Sequence, residues 1–177
     1  AESLLPLLDA DERKALELAQ TAIDDYAQHY DTAWRNGLAN KLGFNERCAD
    51  IDQLAADFLQ QLETSGADMT NSFRALLQPE TLVPSFQPWL ERWRRLIDRQ
   101  TGGQSAVLAL MAQVNPVVIP RNHLVQTALD SAEQGDMTRF HDLLKACATP
   151  YNAAHEGTVY AEAPPADRAR YVTYCGT

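Results

Sequence analysis

Apolar residues recur at three- and four-residue steps between residues 18 and 42, and this periodicity limits the possible folds more than any other feature of the chain. The series consists of Leu18, Ala19, Ala22, Ile23, Tyr26, Tyr30, Ala33, Trp34, Leu38 and Leu42. Steps of this size place side chains on one face of an α-helix, here over about six turns. We therefore predict one long helix with one apolar face, ending at Gly43 because glycine commonly terminates helices.

Shorter helical patterns follow the first one, separated by glycine and proline residues that interrupt helices. No stretch alternates apolar and polar residues for long enough to predict a strand. In the fourth pattern, Trp89 and Trp93 fit a core better than an exposed stacking platform. The sequence therefore predicts an all-α fold, an irregular bundle of about seven helices over residues 1–149, with an extended C-terminal tail over residues 150–177.

Charge and cysteine content narrow the class of protein. The 177 residues include 24 acidic and 15 basic side chains, a formal charge of −9, which argues against a nucleic-acid coat or a polybasic membrane surface. No apolar run approaches the roughly 20 residues of a membrane-spanning helix. Three distant cysteines, Cys48, Cys147 and Cys175, favour free thiols in a reducing compartment. We expect a cytoplasmic protein with neither nucleic acid nor membrane as a partner.

The segment 115–123, Asn-Pro-Val-Val-Ile-Pro-Arg-Asn-His, is the most distinctive interruption of the helical pattern. Its two prolines lack backbone donors and push the residues before them out of the helical region, so the chain should run extended between two helices. Three apolar residues between the prolines indicate packing against the rest of the protein. We predict a buried connector.

Two interpretations are open for Arg121, Asn122 and His123, which follow the second proline. These side chains could be presented to a partner or a ligand. Alternatively, Arg121 pairs with a carboxylate and Asn122 or His123 caps the next helix, because a buried connector needs polar groups that satisfy its backbone.

Four arginines form a basic patch in this acidic chain: Arg92, Arg94, Arg95 and Arg99. All except Arg94 are spaced to share one face of a helix that we expect to continue to Gly102-Gly103. One interpretation is a solvated face with ion pairs to Glu91 or Asp98. The other is a surface that docks against an acidic or phosphate-bearing partner.

Common catalytic motifs do not occur in this sequence. It contains no glycine-rich phosphate-binding loop, no Gly-x-Ser-x-Gly, no His-Glu-x-x-His and no Cys-x-x-Cys. The four histidines are too widely spaced to predict a local metal site. Cys175 lies close to the end of the chain, where it could reach a partner thiol or could be incidental. We predict no catalytic residue and no metal site in this chain.

Several motifs occur in an order that resembles one known family. They are the segment 115–123, Gly135-Asp136, Phe140, Leu143-Leu144, Pro150-Tyr151, Tyr-Ala-Glu-Ala-Pro-Pro from residue 160, and the final Cys-Gly-Thr. In this order they resemble the C-terminal end of the selenoprotein O family, known in bacteria as YdiU. Leu-Leu-Pro-Leu-Leu from residue 4 and the stretch from Tyr30 to Phe44 are similar to the region after the family's kinase-like core. The resemblance covers essentially the whole chain, least distinctively at 78–104.

The resemblance implies that this chain is a helical C-terminal segment of a larger protein adenylyltransferase with a kinase-like fold. The family transfers AMP from ATP to Ser, Thr or Tyr hydroxyls of target proteins, using a divalent metal, Mg or Mn. Its nucleotide and metal ligands precede the part matched here. We therefore expect no ATP or metal site in this chain and a contact with the upstream kinase-like core of the same polypeptide. The start at Ala1 agrees with this expectation.

Members of the family end in a cysteine or selenocysteine, which in bacterial members can form a disulfide with a cysteine of the core. Cys175 occupies this place, so the resemblance implies that it is redox-responsive. The alternative to the whole assignment is a free-standing helical protein-interaction domain without catalytic activity, which binds a protein through its Arg92, Arg95 and Arg99 face. The reading frame upstream of Ala1 distinguishes the two.

Overall fold

The computed structural model describes residues 2–165 and folds them into seven α-helices without a strand in that range. The helices are α1 (Glu12–Lys41), α2 (Ala49–Ser65), α3 (Met69–Ala75), α4 (Gln87–Ile97), α5 (Gly103–Val114), α6 (Asn122–Glu133) and α7 (Thr138–Ala148). Short 3₁₀ turns cover Glu2–Leu7, Pro79–Thr81, Pro84–Phe86 and Ala153–His155. The predicted all-α fold is confirmed for the described residues.

The main core lies between α2, α3, α4, α5 and the C-terminal end of α1. Phe58 is at its centre, with ring centroids 5.0 Å from Phe73, 5.7 Å from Phe86 and 4.5 Å from Trp89. Both buried indoles also donate hydrogen bonds of 2.9 Å, Trp89 to the Leu54 carbonyl and Trp93 to the Leu42 carbonyl. Because both indole groups are buried and satisfied, the prediction that they belong to the core is confirmed.

Gly43 ends α1 and brings it close to α5. Its φ of +87° lies in the left-handed region, and a Cβ built there would approach Val107 Cγ1 to 2.6 Å and Met111 Sδ to 2.9 Å. Only a residue without a side chain allows both this turn and this close approach. The predicted stop is therefore confirmed, and it also sets the distance between two helices.

The apolar face of α1 meets the core only near its C-terminal end. Leu38, Ala39 and Leu42 are buried there, whereas every residue from 20 to 37 is exposed. The periodicity thus predicted the helix correctly, but most of the face that it marked is not covered by the described part of the chain.

α4 ends five residues earlier than predicted. It stops at Ile97 and not at Gly102, because the next backbone N–H groups form tighter turns: that of Arg99 donates to the Leu96 carbonyl and that of Gln100 to the Ile97 carbonyl. The Gln100 side chain then donates to the Gly43 carbonyl at 3.0 Å, which holds this turn against the end of α1. Arg99 consequently lies outside the helix.

The hairpin of α6 and α7 forms a separate layer beside the main core. Its small cluster of buried residues consists of Val117, Val118 and Ala146, with Cys147, Tyr160 and Ala161 packed against them. The described part of the segment after α7 therefore lies against the connector between α5 and α6.

None of the helices described here has both the length and the apolar character needed to cross a membrane.

Candidate functional site

The connector between α5 and α6, residues 115–121, is buried at Asn115, Val117, Val118 and Arg121, as predicted, while Pro120 is exposed. Val117 and Val118 are 3% and 1% exposed, and both donate their backbone N–H to the Pro150 carbonyl, at 2.7 and 3.2 Å. Asn115 is fully buried at 0% exposure. The connector joins α5, α6 and the segment after α7, and it contains two of the three buried polar residues of the described chain, Asn115 and Arg121.

Asn115 and Lys41 form reciprocal hydrogen bonds at the start of the connector. The Asn115 amide donates to the Lys41 carbonyl at 2.8 Å, while Lys41 Nζ donates to the Asn115 side-chain oxygen at 3.3 Å and to the Val114 carbonyl at 3.1 Å. The ammonium also lies 5.4 Å from the Phe73 ring centroid, within cation–π range. Burial lowers the pKa of Lys41. This pair connects the C-terminal end of α1 to the connector.

Arg74 connects α3 to both the connector and the segment after α7. Its guanidinium donates to the Asn115 carbonyl at 3.3 Å and forms an ion pair of 2.6 Å with Glu156. The Arg74 side chain is only 14% exposed, against 47% for Glu156. One cation thus satisfies a buried carbonyl and also holds the chain that follows α7.

Arg121 is buried and paired with Asp68. Only 6% of the residue is exposed, and its two terminal nitrogens contact the two carboxylate oxygens at 2.7 and 3.0 Å, with a further bond of 3.1 Å to Asn71. Its Nε is buried without a hydrogen-bond partner. Of the two interpretations for Arg121, pairing with a carboxylate is therefore the one observed.

Asp68 has a second role, since its side chain also accepts the Asn71 backbone N–H at 2.8 Å and caps α3. Burial acts to raise the pKa of Asp68, but the hydrogen bonds from Arg121 and from the Asn71 backbone outweigh it and lower the pKa. The carboxylate is thus held in its charged form at the junction of α3 and α6.

Asn122 and His123 do not cap α6. The N-cap position belongs to Arg121, which makes no side-chain capping bond, and Asn122 is the exposed first residue of the helix. The His123 carbonyl accepts a bond of 2.8 Å from the Thr127 hydroxyl inside the helix. The prediction that Asn122 or His123 caps α6 was wrong, because the helix already begins at Asn122 and its N-cap position is Arg121.

The predicted basic face is only partly assembled. Arg92 pairs with Asp57 of α2 at 2.6 Å, and not with Glu91 or Asp98, while Arg95 Nε donates to the Glu91 carbonyl at 3.2 Å. Arg99 does not share their helix face, because α4 ends before it. Arg99 borders a surface cleft of about 480 Å³, beside Arg47 and Cys48. Arg92, Arg95 and Arg99 are all exposed.

The two described cysteines are free. Cys48 is exposed at the start of α2, and Cys147 is half-buried, with its pKa raised by burial. Cys175, the predicted redox residue, lies outside the described residues. Across residues 2–165, no group of three His, Cys, Asp or Glu side chains has an arrangement that could hold a metal ion.

The arrangement around the connector is suited to holding helices together. Arg121, Lys41 and Arg74 each bind a carboxylate, amide or carbonyl oxygen of another part of the chain. Sequence reasoning missed the roles of Lys41 and Arg74. The available signal was the position of Lys41 at the end of the long helix, between Leu38 and Leu42 of its apolar face.

Comparisons with known proteins show what this chain resembles. A family model described as "Protein adenylyltransferase SelO" matches residues 3–148. The whole chain is similar to the "Protein nucleotidyltransferase YdiU" of three bacteria: Geobacillus kaustophilus (41% identical, 38% of the relative covered), Halalkalibacterium halodurans (42%, 37%) and Alkaliphilus metalliredigens (41%, 38%). The chain thus spans less than two-fifths of the length of these relatives. The family match ends before the tail, and neither it nor the covered share supports the C-terminal position expected from the sequence.

Proposed function

This chain belongs to the SelO family of protein adenylyltransferases, and from that membership we propose that it is the helical part of a longer enzyme that transfers AMP from ATP to Ser, Thr or Tyr hydroxyls of proteins. The observation that supports this proposal most is the coverage, 100% of this chain against 38% of a relative. In the proposal, the helical part packs on a kinase-like core of the same polypeptide in the cytoplasm. That core binds ATP and Mg or Mn, and the longer protein binds the protein substrates.

The connector network supports a structural role for this part. Its buried and half-buried cations each join two segments of the chain, as Arg121 joins α6 to α3 through Asp68. Such contacts give a rigid body that can position a neighbouring domain. Rigid packing beside an active site aligns reacting groups without contributing a catalytic residue.

ATP binding and AMP transfer test the proposal. The longer protein should bind ATP in a calorimetric titration with Mg or Mn and should label a protein substrate with AMP. The 177-residue chain alone should give no saturable heat. Saturable ATP binding by this chain would contradict the assignment of the nucleotide site to the other part of the enzyme. A longer protein that is folded but does not transfer AMP would contradict the activity.

We further propose that Cys175 makes the enzyme responsive to redox conditions, an inference that rests on the sequence alone. AMP transfer by the longer protein should differ between oxidising and reducing conditions, and Cys175→Ser should remove that difference. Cys48→Ser is the matched control, because that thiol is exposed in the structure. If the redox response survives in the Cys175 variant, the switch is not at this residue.

The rival function is a free-standing domain that binds a protein through Arg92, Arg95 and Arg99. The exposure of these three side chains favours it, whereas the pairing of Arg92 with Asp57 and the position of Arg99 outside α4 count against a shared face. The reading frame around this chain distinguishes the functions. A kinase-like segment in the same frame supports the enzyme, and a frame that contains only this chain supports the rival.

A further inference from the structure

A long stretch of α1 is exposed in the described part of the chain, and only its last turns contact α2. Every residue from 20 to 37 is exposed, although the helix is buried again at Leu38 and Ala39. Eighteen residues at 1.5 Å each give about 27 Å of helix. Helical segments of this kind gain most of their stability from packing of an amphipathic face, so an unpacked one indicates a missing neighbour.

The exposed part of α1 carries a continuous apolar stripe of Ile23, Tyr26, Tyr30 and Trp34. Their spacing of three, four and four residues places them on one helix face. The rings are already stacked, with centroids 6.1 Å apart for Tyr26 and Tyr30 and 6.4 Å apart for Tyr30 and Trp34. Ile23 and Tyr26 are each 67% exposed, and Trp34 is 44% exposed. Aromatic side chains in such a row are typical anchors of a protein interface.

The stripe continues into a groove between α1 and α2. The groove measures about 230 Å³, and its lining includes Trp34, Leu38, Ile51 and Leu59. The exposed face therefore meets the edge of the main core at Trp34, beside the charged residues Asp31, Arg35 and Asp52 that also line the groove. A neighbour that covers the stripe can extend into this groove and become continuous with the core.

The charges around the stripe indicate the chemistry of the neighbour. Residues 15–34 contain the carboxylates Glu17, Asp24, Asp25 and Asp31 and no lysine or arginine. Asp24 and Asp31 flank the stripe, Asp31 being paired with Arg35 at 2.8 Å, whereas Asp25 lies on the opposite face of the helix. Two copies of α1 packed face to face would bring these like charges together. A surface with lysine or arginine beside an apolar trough is complementary.

We propose that the stripe of Ile23, Tyr26, Tyr30 and Trp34 docks into an apolar trough edged by lysine or arginine, on the part of the longer polypeptide outside this chain. The inference rests on the proposed function, because that function provides the occupant. The relatives have the length for it, since the match covers 38% of the first of them and leaves about three-fifths of that protein outside. A helix laid into such a trough is a common recognition mode.

Amide hydrogen exchange tests this docking directly. In the 177-residue chain, the amides of residues 20–37 should exchange fast. In the longer protein we expect them to exchange at least about 100-fold more slowly, because opening then requires undocking. Fast exchange in the longer protein would overturn the proposal. Protection that appears in the 177-residue chain and rises with its concentration would identify a second copy as the occupant and would also overturn it.

A matched pair of double variants separates docking from helix stability. Ile23→Ala with Tyr30→Ala truncates the stripe, and Thr21→Ala with Gln28→Ala changes exposed positions on the opposite face. Alanine favours the helix in both. In the longer protein, only the stripe variant should lose the slow exchange, while both variants of the 177-residue chain should melt like the parent. Equal protection in the two variants would exclude the stripe as the contact.

The outcome for docking is independent of the outcome for activity. If the longer protein transfers AMP but residues 20–37 exchange fast, the docking proposal fails and the proposed function stands. If these residues are protected in a longer protein that does not transfer AMP, the activity fails and the docking stands.

Discussion

Arg121 and Asp68 form the most buried ion pair of the described residues, with 5% and 23% of their side chains exposed. Arg121→Ala would leave a partly buried carboxylate without its cation, and we expect the free energy of unfolding to fall by about 2–4 kcal/mol. Denaturant titration of the 177-residue chain measures this. The control is Arg92→Ala, which breaks an exposed pair with Asp57 and should cost less than about 1 kcal/mol. If Arg121→Ala leaves stability unchanged, a contact with the rest of the longer protein becomes the better account.

The lowered pKa of Asp68 predicts a specific dependence of stability on pH. Because the folded state holds this carboxylate charged, its contribution is present above the ordinary pKa of 3.8 and is lost as pH falls through the lower folded-state pKa. The difference in unfolding free energy between the parent and Asp68→Asn should therefore be largest near neutral pH and shrink below about pH 4. Urea titrations at several pH values measure it, and a difference that stays constant down to pH 2 contradicts the prediction.

Arg121 also shows how far a residue's role can be predicted from the sequence. A buried arginine needs an anion, so pairing with a carboxylate was foreseeable. The identity of its partner, Asp68, could not be predicted, because the two residues are 53 positions apart and no local pattern connects them. The same holds for Lys41 and Asn115, which are 74 positions apart. Such contacts depend on how the helices pack, and the sequence has no period that marks them.

The turn after α1 has a strict requirement for the residue type at position 43. Gly43→Ala would place a side chain at a positive φ and against Val107 and Met111, so we expect a loss of about 2–4 kcal/mol in unfolding free energy. Gly66→Ala is the control, since Gly66 has a φ of +65° but nothing within 4 Å of the added Cβ, and it should cost about 1 kcal/mol. Similar losses for the two variants would show that the close approach to α5 is unimportant. Denaturant titration measures both.

Helix ends were predictable where a local signal exists. Asp68 caps the start of α3 and Gly66 follows the end of α2, and both are residue types that capping preferences favour at these positions. The early end of α4 was not predictable, because it depends on a bond from Gln100 to the Gly43 carbonyl, 57 positions away. For α1, periodicity identified an apolar face but could not show which part of a protein covers it.

At the scale of the whole molecule, the two clusters of buried residues differ greatly in size. The main cluster has eighteen buried residues, whereas the one beneath the connector has three. Because local opening follows the amount of buried apolar contact, the amides of α6 and α7 should exchange faster than those of α2 and α4 in the 177-residue chain. Hydrogen exchange measured by mass spectrometry checks this. Uniform protection of all four helices would show that the chain unfolds as one cooperative unit.

Two of the three tryptophans are buried and one is exposed, so the fluorescence of the exposed one can report on the face of α1. Trp89 and Trp93 are 4% and 5% exposed and hydrogen-bonded in the core, while Trp34 is 44% exposed on the face of α1. An exposed indole emits at longer wavelength and is quenched by iodide, whereas the core indoles emit at shorter wavelength and are shielded. The iodide-sensitive fraction of the fluorescence therefore belongs to Trp34, and its loss reports that the face of α1 has been covered.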